Sequence, residues 1–262
     1  MSNLLSNFIF ILLALSNLNE KSFNAAIATH ESQLRVIDPN AFVTLCKKYE
    51  ILNNSIRDGK IDVGAALKEV QSQIPKIKAA YYKAGGKDWK QKSWVFPLQH
   101  YNANAIGGNN GSGFIATGYN YFLGNKHGGH PAHDIFIQDR NQDSKDEKTN
   151  KYVNVLSFSG GVVVAAEKIW DSNSTLRGGK YIWIFDPSSN SLFYYAHCSS
   201  VFVSTGQIII PGQIIATVGR SGLNAYKKRS PTHLHFSRLT LDDNFYPKPV
   251  DTYKDLVVAK SQ

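Results

Sequence analysis

Apolar residues between positions 38 and 85 recur at steps of three and four, the spacing that places them on one face of an α-helix. A first stripe follows the N-cap pair Asp38-Pro39 and consists of Phe42, Leu45, Cys46, Tyr49 and Leu52. A second stripe, ended by Gly85-Gly86, consists of Val63, Leu67, Val70, Ile74, Ile77 and Tyr81. Pro75 lies inside the second stripe and should kink or restart that helix. We therefore predict a small helical module over residues 25–90 that packs on another part of the chain.

After Trp94 the pattern changes to short β-branched or aromatic runs, separated by turns rich in Gly, Asn, Ser and Pro. The predicted strands are 153–156, 161–165, 181–185, 191–195, 207–210 and 214–218. Short strands at this spacing are typical of an antiparallel sheet. We therefore predict a mainly β domain over residues 94–257, preceded by the helical module.

One charged stretch, residues 139–151, lacks a strand pattern and is predicted to be a solvated loop. Its beginning, Asp139-x-Asn141-x-Asp143, resembles a calcium loop. Ser144 stands where that loop requires glycine, and Asn150 where it requires glutamate. The pattern therefore disfavours calcium.

The amino terminus carries the most apolar run of the sequence, whose continuous part is Phe8 to Leu15. A membrane-spanning helix needs about 20 apolar residues, whereas this length fits the hydrophobic region of a secretory signal peptide. Ala14 and Ser16 supply small residues at positions −3 and −1 of a cleavage site, although no Lys or Arg precedes the run. The alternative is a buried amphipathic helix. We predict a signal peptide over residues 1–16, export to the periplasm or the extracellular space, and no stable membrane span.

Composition narrows the class of protein further. Hydrophobic residues make up 42% of the 262, which excludes a largely disordered chain. Lys and Arg exceed Asp and Glu by 29 to 20, a net charge of +9 that favours an anionic partner such as nucleic acid, anionic lipid or a cell-wall polymer. The basic cluster Lys227-Lys228-Arg229 is too short for a nucleic-acid stripe. Cys46 and Cys198 are too few for a thiolate zinc module; export would permit their disulfide, and two buried free thiols fit equally well.

Six of the eight histidines fall in three clusters, at His127/His130/His133, at His197, and at His233/His235. Residues i and i+2 of a strand share a face, so His233 and His235 should project side by side while Leu234 faces the opposite layer. Paired imidazoles among apolar residues favour a metal, because neutral imidazole is a good zinc ligand. His30 and His100 receive no role.

A carboxylate for that metal is available at Asp134, four residues after His130. In a fully extended strand the two would lie about 13 Å apart, so the chain must bend between them, and Pro131 gives a reason for a bend. Two histidines and one carboxylate leave a fourth zinc position for water, which is the arrangement of a hydrolytic site.

These residues follow the order HxxxD, then Tyr195-Ala196-His197, then a glycine-spaced segment that ends in His233-Leu234-His235-Phe236. The glycine-spaced segment contains Gly206, Gly212, Gly219 and Ser221-Gly222. Over about Phe96 to Leu241, this order resembles the lysostaphin-like (LytM-type) zinc metalloendopeptidases.

The resemblance implies an antiparallel β-sheet groove with loops that close over a zinc ion. By position, it implies that His130, Asp134 and His235 are the zinc ligands and that His197 and His233 are non-ligand catalytic histidines. It also implies an endopeptidase that uses a metal-activated water to hydrolyse peptide bonds in the stem or cross-links of peptidoglycan. The bond itself stays open: a glycine-rich cross-bridge and a direct D-amino-acid cross-link both fit.

The sequence departs from the family pattern at three points. Ala132 stands where the HxGxD motif has glycine, His127 and His133 crowd the first ligand, and Ser237 replaces the common acidic residue after HLHF. We expect His133 to face away from the site and His127 to lie at its rim. Because all five site residues are present, we favour an active enzyme over the alternative, a non-catalytic member of the fold that binds cell wall or activates another hydrolase.

Overall fold

A computed structural model describes residues 39–262. The predicted signal peptide over residues 1–16 and the first part of the predicted helical module lie outside the described residues. Two helices open the described part: α1 (Pro39–Arg57) and α2 (Val63–Lys83). The carboxylate of Asp62 caps α2 by accepting hydrogen bonds from the backbone of Gly64 and Ala65, at 2.8 and 3.1 Å.

Most of both apolar stripes is buried, as their spacing predicts, although Val63 at the start of α2 is exposed. In α1 the buried side chains are Phe42, Cys46, Tyr49, Leu52 and Ile56, and in α2 they include Val70, Ile74, Ile77 and Tyr81. Of the two effects expected of Pro75, a restart of the second helix is wrong, because α2 continues through the proline; a kink stays a prediction. The helix is anchored on both sides of the proline by Ile74 and Ile77, which are fully buried, and this packing compensates for the missing N–H donor.

The rest of the described chain is mainly β, and this confirms the predicted fold class. The strands are β1 (His133–Phe136), β2 (Lys145–Asp146), β3 (Lys151–Tyr152), β4 (Asn154–Leu156), β5 (Gly161–Glu167), β6 (Lys180–Asp186), β7 (Ser191–Val201), β8 (Ile208–Ile209), β9 (Ile214–Val218), β10 (His233–Leu241) and β11 (Pro247–Pro249). A short helix, α3 (Tyr253–Val258), follows the last strand.

A nine-stranded sheet has the order β1-β10-β7-β6-β5-β8, with β11 paired to β10, β9 paired to β7, and β4 paired to β9. All of these pairings are antiparallel. The long strand β7 serves as the hub, because it pairs with β10, β6 and β9. Strand β1 pairs with the edge of β10 that β7 leaves free. Strands β1 and β10, which are far apart in the sequence, therefore lie next to each other.

Helix α1 is fastened to this sheet through the carboxylate of Glu50. It accepts a hydrogen bond from the backbone N–H of Ala166 in β5, at 2.9 Å, and one from the hydroxyl of Thr205, at 2.6 Å. Asn53, one turn further on, accepts a hydrogen bond from the hydroxyl of Tyr121 at 3.1 Å. The end of α1 is therefore held against the β structure by polar contacts as well as by its apolar stripe.

The prediction of a solvated loop at residues 139–151 needs correction. Strands β2 and β3 form a small hairpin inside it, and the carboxylates of Asp139 and Asp146 are buried. The Asp139 carboxylate accepts hydrogen bonds from the backbone of Asp143 and Ser144 and from the hydroxyl of Thr232. Because a charge is buried only where donors surround it, this segment is a packed support for the start of β10.

Two further expectations concern the cysteines and the membrane. Cys46 and Cys198 are both buried and both free, so the structure has no disulfide between them. Among residues 39–262, no helix combines the length and the apolar character that crossing a membrane requires.

Candidate functional site

Two of the predicted site residues, His130 and His235, converge on a carboxylate oxygen of a third, Asp134, at the β1–β10 edge of the sheet. Asp134 in β1 and His235 in β10 are directly paired across the two strands. The Asp134 Oδ1 lies 3.1 Å from Nδ1 of His235 and 3.3 Å from Nε2 of His130. The predicted ligand set is thus brought together by strand register at two positions and by a loop at the third.

A tight turn brings His130 to Asp134. The backbone N–H of Ala132 donates to the carbonyl of His130 at 2.8 Å, which closes a three-residue turn around Pro131. The hydroxyl of buried Ser237 donates to the Pro131 carbonyl and fixes this turn to β10. The bend that the HxxxD spacing requires therefore exists, and it lies at the proline. It also gives Ser237, where the family pattern has an acidic residue, a structural contact.

The residue before His130 is a glycine for a physical reason. Gly129 has a φ of +70°, and a Cβ at this position would lie 2.6 Å from the Thr117 carbonyl and 2.7 Å from the Ile115 carbonyl. His130 itself exchanges two backbone hydrogen bonds with Ile115, at 2.7 and 2.8 Å. These two backbone hydrogen bonds, which we call the backbone clasp, hold His130 in place. Only glycine fits at position 129, directly before the clasp.

The three donors suit a small divalent cation. Zinc bound by His and Asp has bonds of about 2.0–2.2 Å in a tetrahedron, so neighbouring donor atoms lie about 3.3–3.5 Å apart. The distances around Asp134 Oδ1 are close to this spacing. The Nδ1 of His130 lies 2.8 Å from the Gly113 carbonyl oxygen, which only accepts, so the proton sits there and the Nε2 lone pair is available. His130, Asp134 and His235 are also the set of described residues whose ligand atoms lie close enough to share a metal ion.

His197 and His233 lie beside this set and have a different arrangement. The ring of His197 lies edge-on to His233 and to His235, with centroids 5.0 and 5.5 Å apart. The Nδ1 of His197 donates to the Ser221 carbonyl at 2.8 Å, and the Nδ1 of His233 donates to the Pro231 carbonyl at 2.7 Å. In the neutral rings this leaves each Nε2 without a proton, which is the state that a proton acceptor needs.

A backbone irregularity determines where His197 points. In β7, Tyr194 lines the site, whereas Tyr195 and Cys198 belong to the hydrophobic core. Strict alternation would send His197 to the same side as Tyr195. His197 instead has a φ of +65°, and the β6–β7 register shifts between Lys180 and Ile182. This bulge turns the imidazole to the side of Tyr194.

Burial and charge determine the protonation states in the site. Burial acts to raise the pKa of the Asp134 carboxyl, but its close contacts with the imidazoles of His130 and His235 outweigh burial and hold that pKa well below its ordinary value. Burial, assisted by the neighbouring His233, lowers the pKa of His197 well below its ordinary value. His197 is therefore a neutral imidazole at neutral pH, next to an ionised Asp134.

All five residues line one cavity of about 330 Å³. The same cavity is lined by Asn53, Ile56 and Arg57 from the end of α1, and by Arg177 from the β5–β6 connection. The sequence does not predict these four residues, because none of them lies in a motif and α1 reaches the cavity only through the packing of the helix on the sheet. A cluster of aromatic residues, which includes Tyr119, Trp183 and Tyr194, completes the walls.

The two extra histidines of the first cluster lie where they were expected. His127 lines the cavity, edge-on to Tyr119 with ring centroids 4.7 Å apart. His133 is buried on the other side of β1, where its Nε2 lies 3.0 Å from Asp251 and its ring stacks on Phe114. Neither belongs to the set of donors around Asp134.

Comparison with known proteins finds a family match that includes part of this site. The model of "Peptidase family M23" matches residues 141–247, a range that contains His197, His233 and His235 and begins after His130 and Asp134. This match confirms the LytM-type resemblance of the sequence. No curated protein matches the chain.

Solved structures are similar at low identity. One is a LytM-type glycyl-glycine endopeptidase assignment from Ruminococcus gnavus, with 21% identity, 74% of this chain and 70% of that chain covered, and a TM-score of 0.42. A second is a zinc-containing peptidase from Vibrio cholerae, with 20% identity, 64% of this chain and only 40% of that chain covered, and a TM-score of 0.38. A third is the catalytic domain of the antimicrobial peptidase lysostaphin from Staphylococcus simulans, with 24% identity, 49% of this chain and 82% of that chain covered, and a TM-score of 0.34.

Proposed function

Since residues 141–247 match peptidase family M23, we propose that this protein is a zinc-dependent endopeptidase that hydrolyses peptide bonds in the stem or cross-links of peptidoglycan. One observation carries the proposal. The Nε2 of His130 and the Nδ1 of His235 lie 3.3 and 3.1 Å from Asp134 Oδ1, and two further imidazoles, those of His197 and His233, line the same cavity. Ligands and proton acceptors thus occur together, as hydrolysis requires.

In this proposal His130, Asp134 and His235 hold the zinc ion. A bound zinc ion supplies Lewis acidity, which polarises a carbonyl group and acidifies water. Asp134 suits this role because its carboxyl stays ionised, and His130 suits it because the Gly113 carbonyl orients its ring. The three side chains contribute one negative charge, so the loaded site keeps a net positive charge.

His197 and His233 transfer the proton of the attacking water and stabilise the developing negative charge. The Nε2 of one of these rings takes a proton from the attacking water as its oxygen bonds to the scissile carbonyl carbon. The carbon–nitrogen bond then breaks, and the same ring returns the proton to the leaving amine. The second imidazole can donate to the oxygen on which negative charge develops when it is protonated, because the imidazolium carries a proton on Nε2 as well as on Nδ1. The carbonyls of Ser221 and Pro231 prevent either ring from turning away.

Export belongs to the same proposal, since the substrate lies outside the cytoplasm and residues 1–16 have the pattern of a signal peptide. Domain boundaries at residues 25–90 and 94–257 are likewise proposed. The non-catalytic alternative, a protein of this fold that binds cell wall or activates another hydrolase, predicts binding to peptidoglycan without cleavage.

Purified peptidoglycan incubated with the zinc-loaded protein tests the function. We expect new amino groups and soluble muropeptides, detected by chromatography and mass spectrometry, and none with Asp134→Ala. Binding of the wild-type protein to peptidoglycan without any new amino groups would support the non-catalytic alternative and contradict the enzyme. The mass of the released peptides identifies the bond that is cleaved.

A further inference from the structure

The cavity is lined by two arginines that differ in how their charges are compensated. Arg57 donates to Asp58 at 2.7 Å and to Glu167 at 3.4 Å, so two carboxylates neutralise it. Arg177 forms no ion pair with any carboxylate of the described residues. Its guanidinium is therefore an uncompensated cation in the wall of the proposed active site.

Arg177 is nevertheless fixed in position. Its Nη1 donates to two backbone carbonyls, those of Asn125 and His127, at 3.1 Å each. Both carbonyls belong to the segment that leads into His130. The side chain is half-buried, so it spans from the β5–β6 connection to this segment as part of the cavity wall.

The contacts of Arg177 leave one particular edge of the guanidinium unused. Nε and Nη2 have no hydrogen-bond partner among residues 39–262, since both hydrogen bonds of the side chain come from Nη1. The Nε–H and the adjacent Nη2–H form a planar pair of parallel donors, which matches the two oxygens of a carboxylate. An anchored arginine with this edge open is pre-organised for a bidentate anion.

The charges of the cavity favour the same ligand. Among its lining residues Asp134 is the single acid, and that carboxylate belongs to the proposed metal site. A substrate carboxylate near Arg177 would therefore meet an unpaired cation and no further acidic side chain of the lining.

We propose that Arg177 is a specificity-determining residue that binds a carboxylate of the substrate peptide next to the scissile bond. This rests on the proposed function and sharpens it: the preferred substrate is an acidic stem peptide, not an uncharged chain such as polyglycine. A carboxylate bound through two charge-assisted hydrogen bonds also fixes the direction in which the peptide runs past His130.

A pair of synthetic cross-linked stem peptides tests the proposal, one with free carboxylates and one with the same carboxylates amidated. Binding is measured by calorimetry in the full-length His233→Ala protein, so that turnover does not consume the peptide. We expect the free acid to bind about 10- to 100-fold more tightly than the amide. Adding Arg177→Gln should bring that ratio close to one, whereas adding Arg57→Gln, the matched arginine with paired charge, should leave the preference in place.

Arg177→Lys controls for a folding defect, because lysine keeps the positive charge and one group that can donate to the carbonyls of Asn125 and His127. It should retain part of the preference, with an unchanged melting temperature. The proposal is overturned if the starting protein does not distinguish the two peptides, if Arg177→Gln retains the preference, or if Arg177→Gln weakens both peptides equally. If the zinc-loaded wild-type protein hydrolyses neither peptide while the His233→Ala protein still prefers the free carboxylates, the proposed function is contradicted and this inference stands.

Discussion

His197 and His233 lie edge-on to each other with their ring centroids 5.0 Å apart, and the Nδ1 of each ring donates a hydrogen bond to a backbone carbonyl oxygen. The two residues come from different strands, β7 and β10, and reach this position by different means. His233 follows the alternation of its strand, and His197 depends on a bulge. The shared geometry leaves both Nε2 atoms free to act on a proton beside the metal donors.

Replacing either ring should therefore affect turnover and not metal binding. We expect His197→Ala and His233→Ala each to retain one zinc ion per chain and to lose about 10²- to 10⁴-fold in kcat, the usual contribution of a positioned acid or base. Zinc content by mass spectrometry and muropeptide release measure the two properties separately. Loss of zinc from His233→Ala would mean that His233, whose Nε2 lies 3.7 Å from Asp134 Oδ1, is a ligand.

His127 and His130 provide a matched pair within one cavity. His130→Ala removes a donor from the set around Asp134, so we expect zinc affinity to fall below the level at which the ion survives dialysis. His127→Ala removes an imidazole that contacts Tyr119 and lies outside that set, so zinc should stay bound. Competition with a colorimetric chelator measures both affinities. Equal affinities in the two variants would contradict the ligand assignment.

Substitution of Gly129 tests whether the backbone clasp holds His130 in place. Gly129→Ala forces a Cβ against two carbonyl oxygens at a positive φ, so we expect a loss of about 2 kcal/mol in the free energy of unfolding and weaker zinc binding. Gly113→Ala is the control, because a Cβ there would meet its nearest neighbour at 3.8 Å. Denaturant unfolding and zinc titration should separate the two variants, and equal stability would show that the clasp does not hold the ligand.

The cysteines should behave as two inaccessible thiols. Burial raises the pKa of Cys46 to about 12, with Glu50 acting in the same direction, and burial raises the pKa of Cys198 to about 12. At pH 8 both are therefore protonated, and we expect a thiol reagent to label neither in the native protein within minutes. Unfolding in denaturant without a reductant should release two reactive thiols per chain. No reactive thiol under those conditions would indicate a disulfide.

The sequence predicts the fold class and several elements because their signals are local. The strand predicted at 214–218 is observed with those bounds, since Pro211-Gly212 and Gly219 delimit a run in which four of five residues are β-branched. Strand alternation predicts that His233 and His235 share a face, Pro131 predicts the bend between His130 and Asp134, and the family resemblance adds that Asp134 and His235 act together. The motif therefore identifies the side chains that the fold brings together around Asp134.

Other features depend on contacts between distant segments and could not be predicted. Strand β7 was expected to end at Tyr195, but it continues to Val201 because pairing with β9 supports its second half. The bulge that turns His197 into the cavity leaves no pattern in the sequence. Arg57 and Arg177 reach the cavity through packing, and whether each charge is paired is determined by neighbours such as Glu167 that lie far away along the chain.

One zinc ion, held by His130, Asp134 and His235, is required for peptide-bond hydrolysis in the proposed function. The most direct test is to strip the protein with a chelator and add zinc back in measured steps while following the release of amino groups from peptidoglycan. We predict that activity is absent after stripping, rises in proportion to bound zinc and saturates at one ion per chain, and that His235→Ala recovers nothing. Hydrolysis that persists without zinc, or that returns in His235→Ala, would contradict the zinc requirement.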